Sequence, residues 1–175
     1  MTVLTIGHST RKLEDFLALL QGAEVDHLAD VRRFPHSPRQ PHFNIESLPA
    51  SLAGIGIGYT HMEALGGRRK AHKDSPHTLW REEGFRGYAD YAETPPFRLA
   101  LNDLLRRAQE KRVAIMCAEA LWWQCHRRII ADYLLAAGIE VNHILDGKIE
   151  PARLTTGAII KSGSLLYSDM PLLSR

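Results

Sequence analysis

The chain has 175 residues, 22 basic against 20 acidic side chains, and two cysteines; this length suits one domain able to bury about 70% of the surface its unfolded form exposes. A formal charge of +2 is too mild to argue for nucleic-acid binding on bulk electrostatics, and two thiols do not make a disulfide scaffold. No apolar run reaches the roughly 20 residues that span a bilayer, and Met1 to His8 runs straight into a strand pattern with no basic leader, so a cytoplasmic protein without a membrane partner is expected.

Val3 to Ile6 is a short apolar run, followed by Gly7-His8-Ser9-Thr10 and then Leu13, Phe16, Leu17 and Leu20 at helical spacing. Strand, turn and helix are predicted, with Ser9 or Thr10 capping the helix and Gly22 ending it. Val25 to Val31 reads as a second buried strand, which makes a parallel pair joined by a crossover helix. Three prolines between Phe34 and Pro41 mark a loop, Ile45 to Leu52 a short helix, and Ile55 to Met62 a third strand ending at Leu65-Gly66-Gly67-Arg68-Arg69-Lys70. Lys70 to Gly87 is polar and rich in His and Gly, a long connection of the kind that carries function or mobility. Tyr88 to Glu93 looks helical, and Phe97, Leu101, Leu104, Leu105 and Ala108 line one face of an amphipathic helix.

Val113 to Met116 is a buried strand, Ile129 to Ala137 a helix ending at Gly138, and Val141 to Leu145 the last strand of the core. Beyond Asp146 the pattern weakens, with a terminal hairpin or a packed tail as the two readings of Ile159 to Tyr167. The alternation predicts an α/β fold, a mostly parallel sheet with helices on both faces in a Rossmann-like three-layer architecture. One domain is expected over residues 1–175, with a core over about 3–145 and 146–175 packed on it as an extension.

The stretch from Val113 to Arg128 holds both cysteines, an acid, a histidine and two arginines around one strand-to-helix turn. Ligands of open α/β sheets bind at the carboxyl ends of strands, so Cys117 to His126 is the expected site. If the strands are parallel, His8 and Ser9, Asp30 and Arg32, and Cys117 and Glu119 all reach one rim. A carboxylate on a strand buried on both faces needs a partner, and Arg32, His8 or a backbone N–H would serve Asp30.

Cys117 reads either as a small core residue or as a thiolate. Cys125 suits a thiolate better, because it lies near a helix amino end and precedes His126, Arg127 and Arg128. Either is a candidate, and a transient disulfide between them would have redox meaning. Among the 22 basic residues, 16 are Arg, the planar fork that grips phosphate and carboxylate at two points. Arg127, Arg32, Ser9, Gly66, Gly67 and Arg68 are therefore candidate ligand-binding residues, with Glu119 as an acid or base or as the group that orients Arg127. Trp122, Trp123, Trp80 and Tyr88 are candidate pocket walls, and tryptophan also serves for base stacking or simple gap filling. The spacing does not match a Cys-x5-Arg phosphatase loop, a Walker loop or a dinucleotide fingerprint. Without a CxxC pair or a His-Glu-x-x-His motif, no metal site and no cofactor are expected.

Ile6-Gly7-His8-Ser9, Asp30-Val31-Arg32 with Pro35, Leu65-Gly66-Gly67, Trp80, Tyr88, and Cys117-x-Glu119 followed by Cys125-His126-Arg127 together resemble the domain-of-unknown-function family 488. The resemblance runs from about Val3 to Ile144, and the Trp122-Trp123 pair is similar to one branch of the family. It implies an intracellular α/β protein and supplies no reaction. From the residues, the leading expectation is an enzyme binding a phosphate-bearing or nucleotide-like anion, with His8, Asp30, Cys117, Glu119, Cys125 and His126 as its catalytic set. A nucleic-acid binding module and a thiol redox or metal sensor are the alternatives.

Overall fold

The computed structural model describes residues 1–169; residues 170–175 of the expected extension lie outside the described residues. Five parallel strands and one antiparallel strand form the main sheet: β1 (Thr2–Gly7), β2 (His27–Asp30), β3 (Gly58–His61), β4 (Val113–Cys117), β5 (Glu140–Leu145) and β6 (Lys148–Pro151). Their order across the sheet is β3-β2-β4-β1-β5-β6. β4 therefore enters between the first two strands of the chain, and the carboxyl ends of β2, β4 and β1 are direct neighbours. Gly7 pairs with Cys117 and Asp30 with Met116.

The two-residue side-chain period of a strand sorts the core into two layers. Val3, Ala29, Val113, Ile115 and Cys117 face α3 (Glu83–Ala92), α4 (Pro95–Glu110) and α5 (Arg127–Ala136). Leu4, Ile6, Leu28, Ala114 and Met116 face α1 (Leu13–Gly22) and α2 (Leu48–Ala53). The three-layer α/β fold follows directly. The same alternation sends the Cys117 side chain toward the layer that contains α5, behind Val113 and Ile115.

Several local expectations are corrected. Neither Ser9 nor Thr10 caps α1: Ser9 turns through a positive φ of 48°, and Lys12 occupies the N-cap without a side-chain bond. Gly22 ends that helix as expected, although the left-handed turn beyond it falls on Glu24 at φ 55°. α3 begins at Glu83, inside the stretch read as connection, because Gly84 and Gly87 weaken its helical propensity on paper while Tyr88, Ala89 and Ala92 bury its inner face. The sheet does not end at Leu145: β6 folds back antiparallel on β5, pairing Leu145 with Lys148 across a turn with Gly147 at φ 73°. Within the extension, β7 (Ala158–Lys161) and β8 (Ser164–Tyr167) make the terminal hairpin. Its residues Leu165 and Tyr167 join the α3–α5 core, and the Tyr167 hydroxyl donates to Asp132 of α5 at 2.9 Å.

Candidate functional site

At the shared rim, β1 continues by hydrogen bonding across to the chain leaving β4: His8 N–H donates to the Cys117 carbonyl and Ser9 N–H to that of Ala118, both at 2.9 Å. This pins the segment after β4 against β1. Gly7 makes the approach possible, since a Cβ there would stand 1.7 Å from the Glu119 carbonyl oxygen. The pinned segment then turns through a 3-10 turn at Trp122–Gln124 and returns to the sheet edge at Cys125, one residue before the N-cap of α5.

The return brings the two sulfurs to 2.9 Å. Cys125 Sγ also accepts from the backbone N–H of Arg127 at 3.3 Å and from its Nε at 3.2 Å. Arg127 is 1% exposed, and its Nη2 donates to the Glu119 carbonyl at 2.5 Å. Burial alone would raise both thiols. For Cys125 that effect is overcome by the Cys117 thiol donating to it and by the Arg127 guanidinium, so its pKa falls well below the ordinary thiol value. For Cys117 burial is reinforced by its bond to the Cys125 sulfur, so it stays protonated. Of the two, Cys125 is the one favoured to ionise and Cys117 the one favoured to keep its proton.

Asp30 is 0% exposed and fully engaged. It accepts from the backbone N–H of Arg32 at 3.1 Å, from Arg32 Nε at 2.9 Å and Nη2 at 2.7 Å, and from the Tyr59 hydroxyl at 2.7 Å. Arg32 in turn donates to the Phe43 carbonyl and, through Nη1, to His8 Nε2 at 3.2 Å. That leaves Nδ1–H of His8 to donate to the Ser9 carbonyl at 2.8 Å. The tautomer follows from geometry, and burial together with Arg32 holds the His8 pKa down at about 4. His126 is neutral for the same first reason, burial. Its Nε2–H donates to the Val31 carbonyl at 2.8 Å, and its Nδ1 faces Gly67, where a Cβ would come within 2.8 Å. Tyr88 supports this loop by donating to the Leu65 carbonyl at 2.6 Å while its ring lies against His126.

Above the sulfurs opens a cavity of about 450 Å³, within the usual range for small-molecule sites. His8, Arg32, Gly67, Arg68, Tyr88, Cys117, Glu119, Cys125 and His126, all named from sequence, line it. Asp30, Ser9, Gly66 and Arg127 stand behind its wall and do not line it. The three tryptophans are not among its lining residues either. Trp122 stacks on His143 with centroids 4.3 Å apart, Trp80 stacks on Phe85 at 4.9 Å, and Trp123 is 41% exposed.

Sequence reading missed Arg33, Phe34, His36 and Ser37 from the proline-rich loop, Glu82, Gly84 and Phe85 from the start of α3, and Gln124. The guanidinium groups of Arg33 and Arg68 both lie over the Phe34 ring, at 5.4 and 5.8 Å, in the lining of the same cavity. The signal available was the clustering of Arg and aromatic residues in two segments already marked as loops. Among the described residues, no group of three or more His, Cys, Asp or Glu side chains is disposed to hold a metal ion, and no helix is long and apolar enough to cross a membrane.

The sequence model of a known family, the domain of unknown function DUF488, matches residues 12–134. That span contains Asp30, both cysteines and Arg127 but not the His8 turn. No curated protein and no solved structure matches the chain.

Proposed function

The chain belongs to the DUF488 family, whose description names no reaction, and from the site itself we propose a cysteine-dependent enzyme acting on a small phosphate-bearing or nucleotide-like anion. The observation that carries this reading is the Cys125 sulfur, held as an anion by Arg127 and by the Cys117 thiol in the wall of the cavity. A thiolate is the nucleophilic form of cysteine, and here Cys125 lines the cavity where a ligand would sit. Cys117 holds the proton, and neutral His126, whose Nδ1 receives no hydrogen bond among the described residues, supplies a base on the cavity wall.

The anion-binding role narrows, away from Arg32 and Arg127 and onto Arg68 of the expected set, joined by Arg33. Arg32 is committed to Asp30 and Arg127 to the thiolate, so Arg33 and Arg68 are the cations that meet the ligand's charge. Phe34, exposed on the cavity wall beneath these two guanidiniums, adds an aromatic face beside the charge. A nucleic-acid surface is less well supported, since Trp80 and Trp122 are already stacked on protein rings.

Site-resolved alkylation with iodoacetamide, read by mass spectrometry, tests the proposal. Cys125 is expected to react at neutral pH with a midpoint below the ordinary thiol value of about 8.5. Adenosine monophosphate should protect it, and Arg33→Ala with Arg68→Ala should weaken that protection by about tenfold or more, as loss of charge-assisted hydrogen bonds implies. A Cys125 inert until the protein unfolds defeats the nucleophile; protection that is absent defeats the ligand class.

A further inference from the structure

The sulfur-to-sulfur distance says more than that one cysteine is activated. We infer that Cys117 and Cys125 are the two halves of a dithiol–disulfide couple that reduces a small anionic disulfide bound in the cavity. This rests on the reading of Cys125 as the nucleophile and adds a second electron carrier and a substrate class.

Three features of the site converge on it. At 2.9 Å the sulfurs need to approach by only roughly 0.9 Å more to reach a disulfide length of about 2.05 Å. Cys117 is fixed at the end of β4, whereas the segment that leads from it to Cys125, 118–124, contains only a short 3-10 turn, so the approach falls to Cys125. Both cysteines are among the cavity's lining residues, so one substrate sulfur can meet Cys125 while Cys117 remains adjacent to the new bond. Apart from the Cys125 sulfur, the Cys117 thiol has among the described residues only the Glu119 carbonyl at 3.8 Å as an acceptor.

The chemistry balances in two exchanges. The Cys125 thiolate attacks one sulfur of the substrate disulfide, RSSR; the S–S bond breaks, RS⁻ leaves, and Cys125 carries a mixed disulfide. Cys117 then loses its proton to the departed RS⁻ and attacks the Cys125 sulfur, expelling the second RS⁻ and closing the Cys117–Cys125 bond. One thiol and one thiolate are oxidised by two electrons, and the substrate leaves as RSH and RS⁻. A low-molecular-weight thiol reductant returns the pair to its starting state. Arg127 favours the dithiol form because it stabilises the thiolate, so the closed bridge is an oxidising one that an ordinary thiol can open. Arg33 and Arg68 select the negative charge of the substrate.

The test uses 5,5′-dithiobis(2-nitrobenzoate), an anionic aromatic disulfide whose released thiolate absorbs visibly, with intact-mass analysis of the native protein. The wild type should release two equivalents and retain no adduct, its mass lower by two hydrogens. Cys117→Ser should release one equivalent and retain one adduct on Cys125, and Cys125→Ser should lose the fast phase. Two retained adducts in the wild type, one on each cysteine, overturn the couple. A single stable adduct on Cys125 with Cys117 untouched also overturns the couple while leaving the nucleophile of the proposed function in place. Inertness of both cysteines in the native protein defeats both readings.

Discussion

Acidification should destabilise this protein through two buried histidines before most carboxylates are protonated. His8 and His143 are 3% and 1% exposed, and both titrate at about 4 instead of 6.5, with burial as the main cause and Arg32 or Arg127 adding repulsion. The folded state therefore refuses a proton that the unfolded state accepts. Their contribution is fully present above pH 6.5 and is lost as pH falls toward 4. Between pH 7 and pH 5 each histidine forfeits about 2 kcal/mol by linkage, or about 4 kcal/mol for the pair. With a urea dependence near 2 kcal/mol per molar, the wild-type midpoint should fall by about 2 M over that interval. His143 bonds Thr5 at 2.7 Å and lies under Trp122, so His143→Gln removes the titration and keeps a polar partner for the hydroxyl. Urea unfolding followed by circular dichroism at both pH values should show the variant losing about 1 M less than the wild type. Equal losses in the two proteins would falsify the assignment of acid sensitivity to this ring.

Two substitutions probe the scaffold under the site. Asp30→Asn removes the charge that Arg32 faces in a dry setting and should cost about 3–5 kcal/mol, against about 1 kcal/mol for Tyr59→Phe, which deletes a single hydrogen bond to the same carboxylate; equal unfolding midpoints for the two variants would contradict the buried-pair reading. Gly7→Ala forces a methyl group into the Glu119 carbonyl, which moves the chain that carries Arg127's acceptors. Cys125 alkylation at neutral pH should then slow by tenfold or more in a protein that still folds, whereas an unchanged rate shows that the thiolate does not depend on this contact.

Much of the architecture was legible because it is written in local periodicity. Val113-Ala114-Ile115-Met116, short and apolar, reads as a buried strand, and strand alternation then puts Cys117 on one face with Val113 and Ile115. The compact run from Cys117 to Arg128 likewise marked out the candidate site, since a strand end and a helix start so close in sequence must remain close in space. Asp30 needed a partner on solvation grounds alone, and Arg32, two residues on, supplied it.

Other features depended on tertiary contacts that no local pattern encodes. The insertion of β4 between β1 and β2 is decided by which apolar faces pack together across the whole chain, and it alone makes neighbours of His8, Asp30 and Cys117. The roles of the arginines were hidden for the same reason: a guanidinium is a ligand binder or a structural clamp according to the acceptors around it. Burial turned Arg32 and Arg127 inward, onto a carboxylate and a sulfur, and left Arg33 and Arg68 on the cavity. The lowered pKa of Cys125 is a tertiary product as well, because it comes from a thiol eight residues away and a guanidinium two residues on.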